Sequence, residues 1–342
     1  MRLSDLDYEL PAELIAQHPA ARREDSRLLV VERDGGRLHD QRFTDLERWL
    51  RPGDTLVVNE TRVRPARLEL KRASGGAVEV LFVRPESNGD WRVLARPAKK
   101  APVGGTLETP DQALALEVVG AGEHGERVVR IARGDLDAVL RERGAIPLPP
   151  YIHRAADDAD RERYQTVYAR TEGAVASPTA GLHFTRERLA ALTANDIACV
   201  PLLLHVGPGT FRPVSEEDPA RHHMDEEWYE VGESAAATLR DRRARGGRIV
   251  AVGTTSVRAL ESACDANSGA IAPASGWTRK FIVPPYRFQA VDALLTNFHL
   301  PRTTLLLLVA AFAGDDLLKR AYAHAVAERY RFYSYGDAML VV

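Results

Sequence analysis

The chain has 342 residues, 45% of them hydrophobic, and a formal net charge of -2. This length suits about two globular domains with a sizeable apolar core, and the composition argues against intrinsic disorder. The small negative charge excludes a global positive field, so any contact with nucleic acid must come from local basic clusters.

Targeting and membrane signals are missing from the sequence. No apolar stretch follows the first basic residue, so we expect no signal peptide. The most apolar run, Leu305 to Phe312, spans about eight residues, whereas a bilayer-spanning helix needs roughly 20. Cys199 and Cys264 lie far apart and outside any zinc-binding spacing, as in a reducing compartment. We therefore expect a cytoplasmic protein without membrane contact, disulfide or bound metal.

The first elements predict a barrel inserted into an α/β domain. A strand over Thr55 to Asn59 belongs to a mixed α/β pattern, and from Ala66 the pattern changes to short alternating segments typical of a small β-barrel. A helix over Leu136 to Arg143 and the stiff run Pro147 to Tyr151 close this segment. The predicted barrel strands are Arg67 to Arg72, Val78 to Arg84, Trp91 to Arg96, Leu114 to Val119 and Arg127 to Ala132.

After the prolines, apolar strands alternate with helices. Strands predicted over Ile197 to His205, Arg248 to Val252 and Val291 to Phe298 favour a buried, mostly parallel sheet. The predicted fold class is α/β: a large mixed α/β-sheet domain made of residues 1–65 and 151–342, with an inserted small β-barrel domain over residues 66–150.

Polar loops follow several strands of the large domain, at the sheet edge where ligands bind in open α/β folds. In the clearest one, Gly253 allows close backbone approach, and Thr254, Thr255 and Ser256 present hydroxyl and amide groups to an anion at a helix N-terminus. An ordinary helix cap would use the same residues, so both interpretations remain open.

Three further loops and the C-terminus add polar groups. For His205, a hydrogen-bonded core histidine is the alternative to a catalytic one. The aromatic residues of the C-terminal segment Tyr330 to Met339 would either stack bases or form core. The loop residues of interest are His183 and Phe184, then His205, Gly207, Gly209 and Thr210, then Asn297, Phe298 and His299, and finally Asp337.

Together these segments resemble the S-adenosylmethionine:tRNA ribosyltransferase-isomerases of the queuosine pathway, from Tyr8 to Met339. The phrases that carry the resemblance are Val58-Asn-Glu-Thr-Arg-Val63, Pro147-Leu-Pro-Pro-Tyr-Ile152, Tyr164-Gln-Thr-Val-Tyr168, Pro178-Thr-Ala-Gly-Leu-His-Phe184, Leu204-His-Val-Gly-Pro-Gly-Thr-Phe211, Val252-Gly-Thr-Thr-Ser-Val-Arg258, Thr296-Asn-Phe-His-Leu-Pro301 and Tyr330-Arg-Phe-Tyr-Ser-Tyr-Gly-Asp-Ala-Met339.

The resemblance implies a reaction. The ribosyl moiety of S-adenosylmethionine would be transferred and isomerised onto 7-aminomethyl-7-deazaguanine at the tRNA wobble position, giving epoxyqueuosine-tRNA, adenine and methionine. S-adenosylmethionine would be a consumed substrate, and no cofactor would be tightly bound. The tRNA partners would carry a GUN anticodon, and we expect the enzyme to be a monomer.

The chemistry needs a base that removes a C5′ proton beside the sulfonium. The candidates are His183, His205 and His299, with Asp337 as the alternative, and the sequence does not rank them. The methionine carboxylate is assigned to the helix start with Arg258, and the adenine ring to an aromatic residue. The residues predicted to bind S-adenosylmethionine are Phe184, Gly207, Gly209, Thr210, Thr254, Thr255, Ser256, Arg258, Asn297 and Phe298.

Basic residues near the barrel are candidates for binding tRNA phosphates, although a solvated strand surface has the same pattern. These candidates are Asn59, Arg62, Arg64, Lys99 and Lys100.

The sequence departs from the family pattern in two places. His222-His-Met-Asp225 stands where His-x-Met-His is expected, which puts a catalytic role for position 225 in doubt, and Glu60 stands where Asn or Asp is common. A tRNA-binding protein without turnover is the main alternative to the enzyme. A methyltransferase, a hydrolase and a metalloprotease are each disfavoured because their glycine-rich, Gly-x-Ser-x-Gly and His-Glu-x-x-His motifs are missing.

Overall fold

The computed structural model describes residues 2–72, 74–211, 214 and 216–342. These residues form a nine-stranded sheet, a closed barrel and a two-stranded sheet. Before the barrel lie β1 (Arg27–Val31), β2 (Leu38–Arg42), β3 (Thr55–Asn59) and β4 (Thr61–Val63). The barrel contains β5 (Arg67–Arg72), β6 (Ala77–Pro85), β7 (Trp91–Arg96), β8 (Thr106–Glu108), β9 (Ala115–Ala121) and β10 (Glu126–Arg133).

The remaining elements return to the large domain. They are α1 (Leu136–Arg143), α2 (Asp158–Arg163), β11 (Thr171–Ala174), α3 (Arg186–Ala194), β12 (Ala198–Leu204), β13 (Glu227–Val231), α4 (Glu233–Ala244), β14 (Ile249–Val252), α5 (Thr254–Ala266), β15 (Ala274–Thr278), β16 (Ala293–Asn297), α6 (Thr304–Ala313), α7 (Asp315–Ala327) and β17 (Ala338–Val341). Short 3-10 helices cover Leu3–Leu6, Ala12–Leu14, Arg23–Asp25, Phe43–Trp49, Ala98–Lys100, Thr179–His183, Pro208–Phe211 and Pro219–Arg221.

The large sheet is mixed, with strand order β15-β13-β12-β3-β14-β16-β17-β1-β2. The central strands β12, β3, β14 and β16 are parallel, and β1 is parallel to β17. The other four pairings are antiparallel, so the prediction of a mostly parallel sheet is wrong. The physical reason lies at the flanks: the chain leaves β12 and re-enters as β13 at the same edge, and β17 runs back along β16. The carboxyl ends of the four central strands therefore share one edge.

The six barrel strands pair into a closed sheet, and alternate side chains along each strand point inward. The buried side chains include Leu68 and Leu70 of β5 and Val78, Val80 and Phe82 of β6, which form a core separate from that of the sheet. Strand β8 was not predicted from the sequence, because it has only three residues and only Leu107 faces the core. The barrel strands fall within residues 66–150, and the fold class predicted from the sequence is confirmed.

The first and last residues of the barrel segment lie next to each other in the structure. Backbone hydrogen bonds join the nitrogen of Arg67 to the oxygen of Ala145 at 3.2 Å and the nitrogen of Ala145 to the oxygen of Arg67 at 2.9 Å. Just outside this bridge, β4 and β11 form the parallel two-stranded sheet, with Thr61 opposite Thr171. The insert is thus attached through one double connection.

Two apolar cores cover the faces of the large sheet, and the most apolar run of the sequence forms helix α6 in one of them. Helix α6 is almost wholly buried, begins at the Thr303 cap and ends at Gly314, whose φ of 86° favours glycine. Among the described helices, none is both long and apolar enough to cross a membrane.

Candidate functional site

A cavity opens at the sheet edge where the four central strands end. Its space is about 450 Å³, including the part open to solvent. In the sheet register, Val58 lies beside Val252 and Val252 beside Leu295, which brings the following loops together. The cavity is lined by Tyr151, Ser177, Pro178, Thr179, Ala180, Val206, Thr210, Gly253, Thr254, Thr255, Thr296, Asn297, His299, Leu305, Tyr333 and Ser334.

The helix start predicted to bind an anion faces this cavity. Gly253 has a φ of 87° and precedes α5, so Thr254 and Thr255 begin the helix at the cavity wall. Ser256 differs, because its hydroxyl donates to the Val252 carbonyl at 2.8 Å and its side chain is fully buried. The positive end of the helix dipole and the first amide groups favour a negative charge here.

His299 lines the cavity from the other side. Its Nε2 lies 2.8 Å from the Thr296 hydroxyl, and its backbone nitrogen donates to the Tyr322 hydroxyl at 3.0 Å. The Tyr8 hydroxyl donates to the His299 carbonyl. Burial lowers the pKa of His299 to about 3, which keeps the imidazole neutral near pH 7.

His183 lies behind the cavity wall. Its Nδ1 is 2.9 Å from the Ser26 hydroxyl, and its Nε2 is 3.2 Å from the amide nitrogen of Asn297. Asn297 accepts a hydrogen bond from the Thr179 hydroxyl at 3.0 Å. Burial, with Arg331 and Arg23 nearby, lowers the pKa of His183 to about 3. His183 therefore orients Asn297, which itself lines the cavity.

His205 occupies a different neighbourhood. Its Nδ1 is 2.8 Å from the Thr61 hydroxyl, and a Cβ at Gly173 would lie 2.5 Å from its ring, so only glycine fits beneath it. Burial, together with the Arg64 guanidinium, lowers the pKa of His205. His205 is not among the described residues that line the cavity.

The Asp337 carboxylate connects two backbone segments by hydrogen bonds. Its carboxylate accepts hydrogen bonds from the backbone nitrogens of Arg27 and Arg331, each at 2.8 Å. Burial raises the pKa of the Asp337 carboxyl. These contacts hold the last loop before β17 against β1.

Four residues predicted to bind S-adenosylmethionine or tRNA are instead buried against other protein atoms. Phe184 and Phe298 are fully buried, Phe184 against Phe43 and Phe298 among other core rings, so neither presents a face for adenine. Arg258 is buried and forms an ion pair with Glu227. The structure corrects these three positions because protein atoms already cover them, and the same holds for the fully buried Asn59.

Asn59 joins three elements and is shielded from RNA. Its side-chain oxygen accepts from the backbone nitrogens of Thr61 at 3.1 Å and Leu204 at 3.0 Å. Its amide nitrogen donates to the Leu204 carbonyl at 2.9 Å and the Thr255 hydroxyl at 3.2 Å. A side chain with all these bonds and no exposure cannot contact a phosphate, so the tRNA assignment of Asn59 is wrong.

Glu227 was not predicted from the sequence as a site residue. Its Oε1 accepts from the Gly207 backbone nitrogen at 2.7 Å and the Thr210 hydroxyl at 3.0 Å. A signal was present: in β13, Glu227 alternates in phase with the buried residues Tyr229 and Val231, which indicates an acidic residue on the inward face.

Asp225 and the basic candidates are not among the described residues that line the cavity. A Cβ at Gly209 would clash with the Asp225 carboxylate, so Asp225 packs on this loop. Arg62 is exposed and lies 3.8 Å from Glu172, and Arg64 pairs with Asp137 on α1. The exposed Lys99 and half-buried Lys100 lie on a 3-10 helix of the barrel and, within the described part of the chain, form no ion pair.

Two basic side chains of the barrel come close together at Gly76. The side chains of Arg72 and Lys100 both approach Gly76, at 3.3 and 3.8 Å from where its Cβ would stand.

Among the described residues, no group of three or more His, Cys, Asp or Glu side chains is arranged to hold a metal ion.

Comparisons with known proteins agree over the whole chain. A family model described as a queuosine biosynthesis protein matches residues 3–341. The S-adenosylmethionine:tRNA ribosyltransferase-isomerase of Symbiobacterium thermophilum is 53% identical over 344 residues, with 100% of both chains covered. That of Moorella thermoacetica is 51% identical over 345 residues, again with 100% of both covered. The crystal structure of the S-adenosylmethionine tRNA ribosyltransferase of Thermotoga maritima is 37% identical, with a TM-score of 0.56 over 99% of this chain and 100% of that one.

Proposed function

Because the chain belongs to the S-adenosylmethionine:tRNA ribosyltransferase-isomerase family of queuosine biosynthesis, we propose that its acceptor is 7-aminomethyl-7-deazaguanine at the wobble position of tRNA. The ribosyl moiety of S-adenosylmethionine is transferred and isomerised, giving epoxyqueuosine-tRNA with release of adenine and methionine. The observation that carries the proposal is the cavity at the sheet edge, which is lined by both the N-terminus of α5 and the buried His299.

The donor occupies this cavity with its methionine carboxylate at the start of α5. The amide groups and hydroxyls of Thr254 and Thr255 supply donors, and the helix dipole adds a favourable field. The Ser177 hydroxyl supports this placement, because it is buried at the cavity wall without a hydrogen-bond partner among the described residues. A buried polar group left unpaired costs stability, so a ligand that bonds to it gains affinity.

His299 is the general base in this proposal, and donor binding must raise its pKa from about 3, because a base of that pKa is weak near pH 7. Among the four candidates, it is the one that lines the described cavity, and the Thr296 hydroxyl fixes its ring through Nε2. The C5′ proton beside the sulfonium passes to the neutral imidazole, and its bonding electron pair stays on C5′, where the adjacent sulfonium stabilises it. The bonds from the ribose to adenine and to the sulfonium sulfur break, and each departing group keeps the bonding electron pair. Adenine takes up a proton, methionine leaves as the neutral sulfide, and the aminomethyl nitrogen bonds to the ribosyl group with loss of a proton.

The tRNA contacts come from local basic clusters, since the net charge is -2. Lys99 and Lys100, with Arg72 close by, form one cluster on the barrel, and Arg62 and Arg64 form another beside β4. By analogy with the family, the tRNAs are those with a GUN anticodon. We further propose a monomer that works in the cytoplasm, where its tRNA substrate is found, and that holds no cofactor tightly.

The decisive test is mass spectrometry of the wobble nucleoside. Purified protein is incubated with S-adenosylmethionine and tRNA that already carries 7-aminomethyl-7-deazaguanine, while adenine release is followed. The epoxycyclopentanediol adduct with one adenine per nucleoside is the expected result. Tight tRNA binding without either product would favour a binding protein instead, and a methylated base with S-adenosylhomocysteine would overturn the assignment.

A further inference from the structure

We propose that Glu227 is a positioning residue that holds two walls of the donor cavity at a fixed separation. One wall is the loop that follows β12, and the other is the N-terminal turn of α5. Glu227 itself is not among the described residues that line the cavity, so it acts through its neighbours. The inference rests on the proposed function, because it concerns how the same cavity binds its donor.

The contacts of Glu227 connect the two walls directly. Oε1 accepts from the Gly207 nitrogen at 2.7 Å and the Thr210 hydroxyl at 3.0 Å, both in the loop. Oε2 accepts from the Arg258 guanidinium in the second turn of α5. Arg258 is fixed in turn by donating from Nε to the Lys280 carbonyl at 2.9 Å.

Burial of the Glu227–Arg258 ion pair carries a cost in free energy. Glu227 and Arg258 are each 3% exposed, and desolvating two opposite charges offsets much of their attraction. A pair of apolar side chains would hold the same space with equal or greater stability. Nη2 of Arg258 also remains buried without a hydrogen-bond partner among the described residues, which adds to the cost. A role in fixing direction and distance explains why a charged pair occupies this place.

The walls that Glu227 connects both contact the space assigned to the donor. Val206 and Thr210 line the cavity from the loop, and Thr254 and Thr255 line it from the helix. Hydrogen bonds to a charged carboxylate are directional and roughly twice as strong as neutral ones. Without them, the loop and the helix start would sample different separations, and donor binding would have to restore the correct one at a cost in affinity.

The test compares Glu227→Gln with Asp54→Asn. Asp54 is a matched control because it is also buried and paired with an arginine, Arg248 at 2.7 Å, but it precedes β3 at the opposite end of the strand. For Glu227→Gln we expect KM for S-adenosylmethionine to rise about tenfold while kcat changes less than about threefold. Asp54→Asn is expected to lower the urea midpoint and leave KM unchanged.

A rise in KM for both variants, or for neither, would overturn the inference, because a structural role alone predicts no difference between them. If Glu227→Gln does not yield folded protein, Arg258→Lys decides, since Arg258 is not among the described residues that line the cavity and lysine keeps the charge while losing the guanidinium geometry. A threefold rise in KM in that variant, about 0.65 kcal/mol, would support the inference, and an unchanged KM would overturn it. Failure of the wild-type protein to release adenine would instead reject the proposed function.

Discussion

The edge of the large sheet and the outer surface of the barrel use polar residues in opposite ways. At the sheet edge, Asn59, Glu227 and His299 are buried and bonded to fixed neighbours. On the barrel, Lys99 is exposed, and it forms no ion pair in the described part of the chain. The first arrangement preorganises a small cavity, and the second is consistent with the proposed binding of a polyanion, whose phosphates need no single geometry. Changes at the two regions should therefore differ in kind.

The largest effect is expected at the cavity, for His299→Ala. Loss of a general base lowers kcat by at least about 100-fold, while KM for S-adenosylmethionine changes little. Adenine release under saturating substrates measures this. His324→Ala is a suitable control because its histidine pairs with Asp40 on the surface, 2.9 Å away. Full turnover by the His299 variant would remove it as the base and return attention to His183 and His205.

Asn59→Ala tests whether the polar residues at the sheet edge are structural connections. It leaves two backbone nitrogens and the Leu204 carbonyl without their partner, so the free energy of unfolding should fall by about 2 to 3 kcal/mol in urea denaturation. Asn88→Ala, in an exposed barrel turn, should cost less than about 0.5 kcal/mol. Equal losses in the two variants would contradict the contrast between the regions.

Acid should destabilise the sheet edge through its buried histidines. Burial lowers the pKa values of His183 and His299 from the ordinary 6.5 to about 3, so the unfolded chain binds more protons between these limits. The free energy of unfolding therefore falls as pH decreases below about 6.5, by about 2 kcal/mol for each histidine and about 4 kcal/mol for both between pH 7 and 5. Urea titrations at both pH values measure the difference, which should shrink in His299→Gln. An unchanged difference in that variant would argue against the lowered pKa.

The smallest effect is expected on the barrel, for the double variant Lys99→Ala with Lys100→Ala. Loss of two phosphate contacts should weaken tRNA binding about three- to tenfold and reduce the slope of log Kd against log salt by about 1 to 2. KM for S-adenosylmethionine should stay unchanged. Lys319→Ala with Arg320→Ala, a basic pair on α7, is the control. Equal loss of tRNA affinity in both double variants would assign the effect to charge alone.

The sequence predicted the elements of the fold better than the contacts of individual side chains. Strand β3 and helix α1 have their predicted bounds, because their periodicity and their flanking glycine or proline residues are local signals. The polar loops meet because parallel strands end at one edge, which is a general rule. The surroundings of Asn59 could not be predicted, since its partners Leu204 and Thr255 lie far along the chain.

The aromatic and charged assignments failed for a related reason. Phe184 and Phe298 adjoin polar motif residues, yet their side chains point into the core. Spacing along a loop gives no direction for a side chain, so a ring beside a binding residue has two possible environments. Arg258 shows the same limit, because only the fold brings Glu227 within reach of it.

The double connection between Arg67 and Ala145 makes the barrel a replaceable module. Its two ends are already neighbours, so a short peptide could join them without moving any strand of the large sheet. Insertions, deletions or whole exchanges within this segment can accumulate during evolution while the sheet edge stays intact. In a protein engineer's terms, the barrel is a segment to exchange or permute as a unit, provided that the Arg84 contacts with Glu226 and Trp277 are kept.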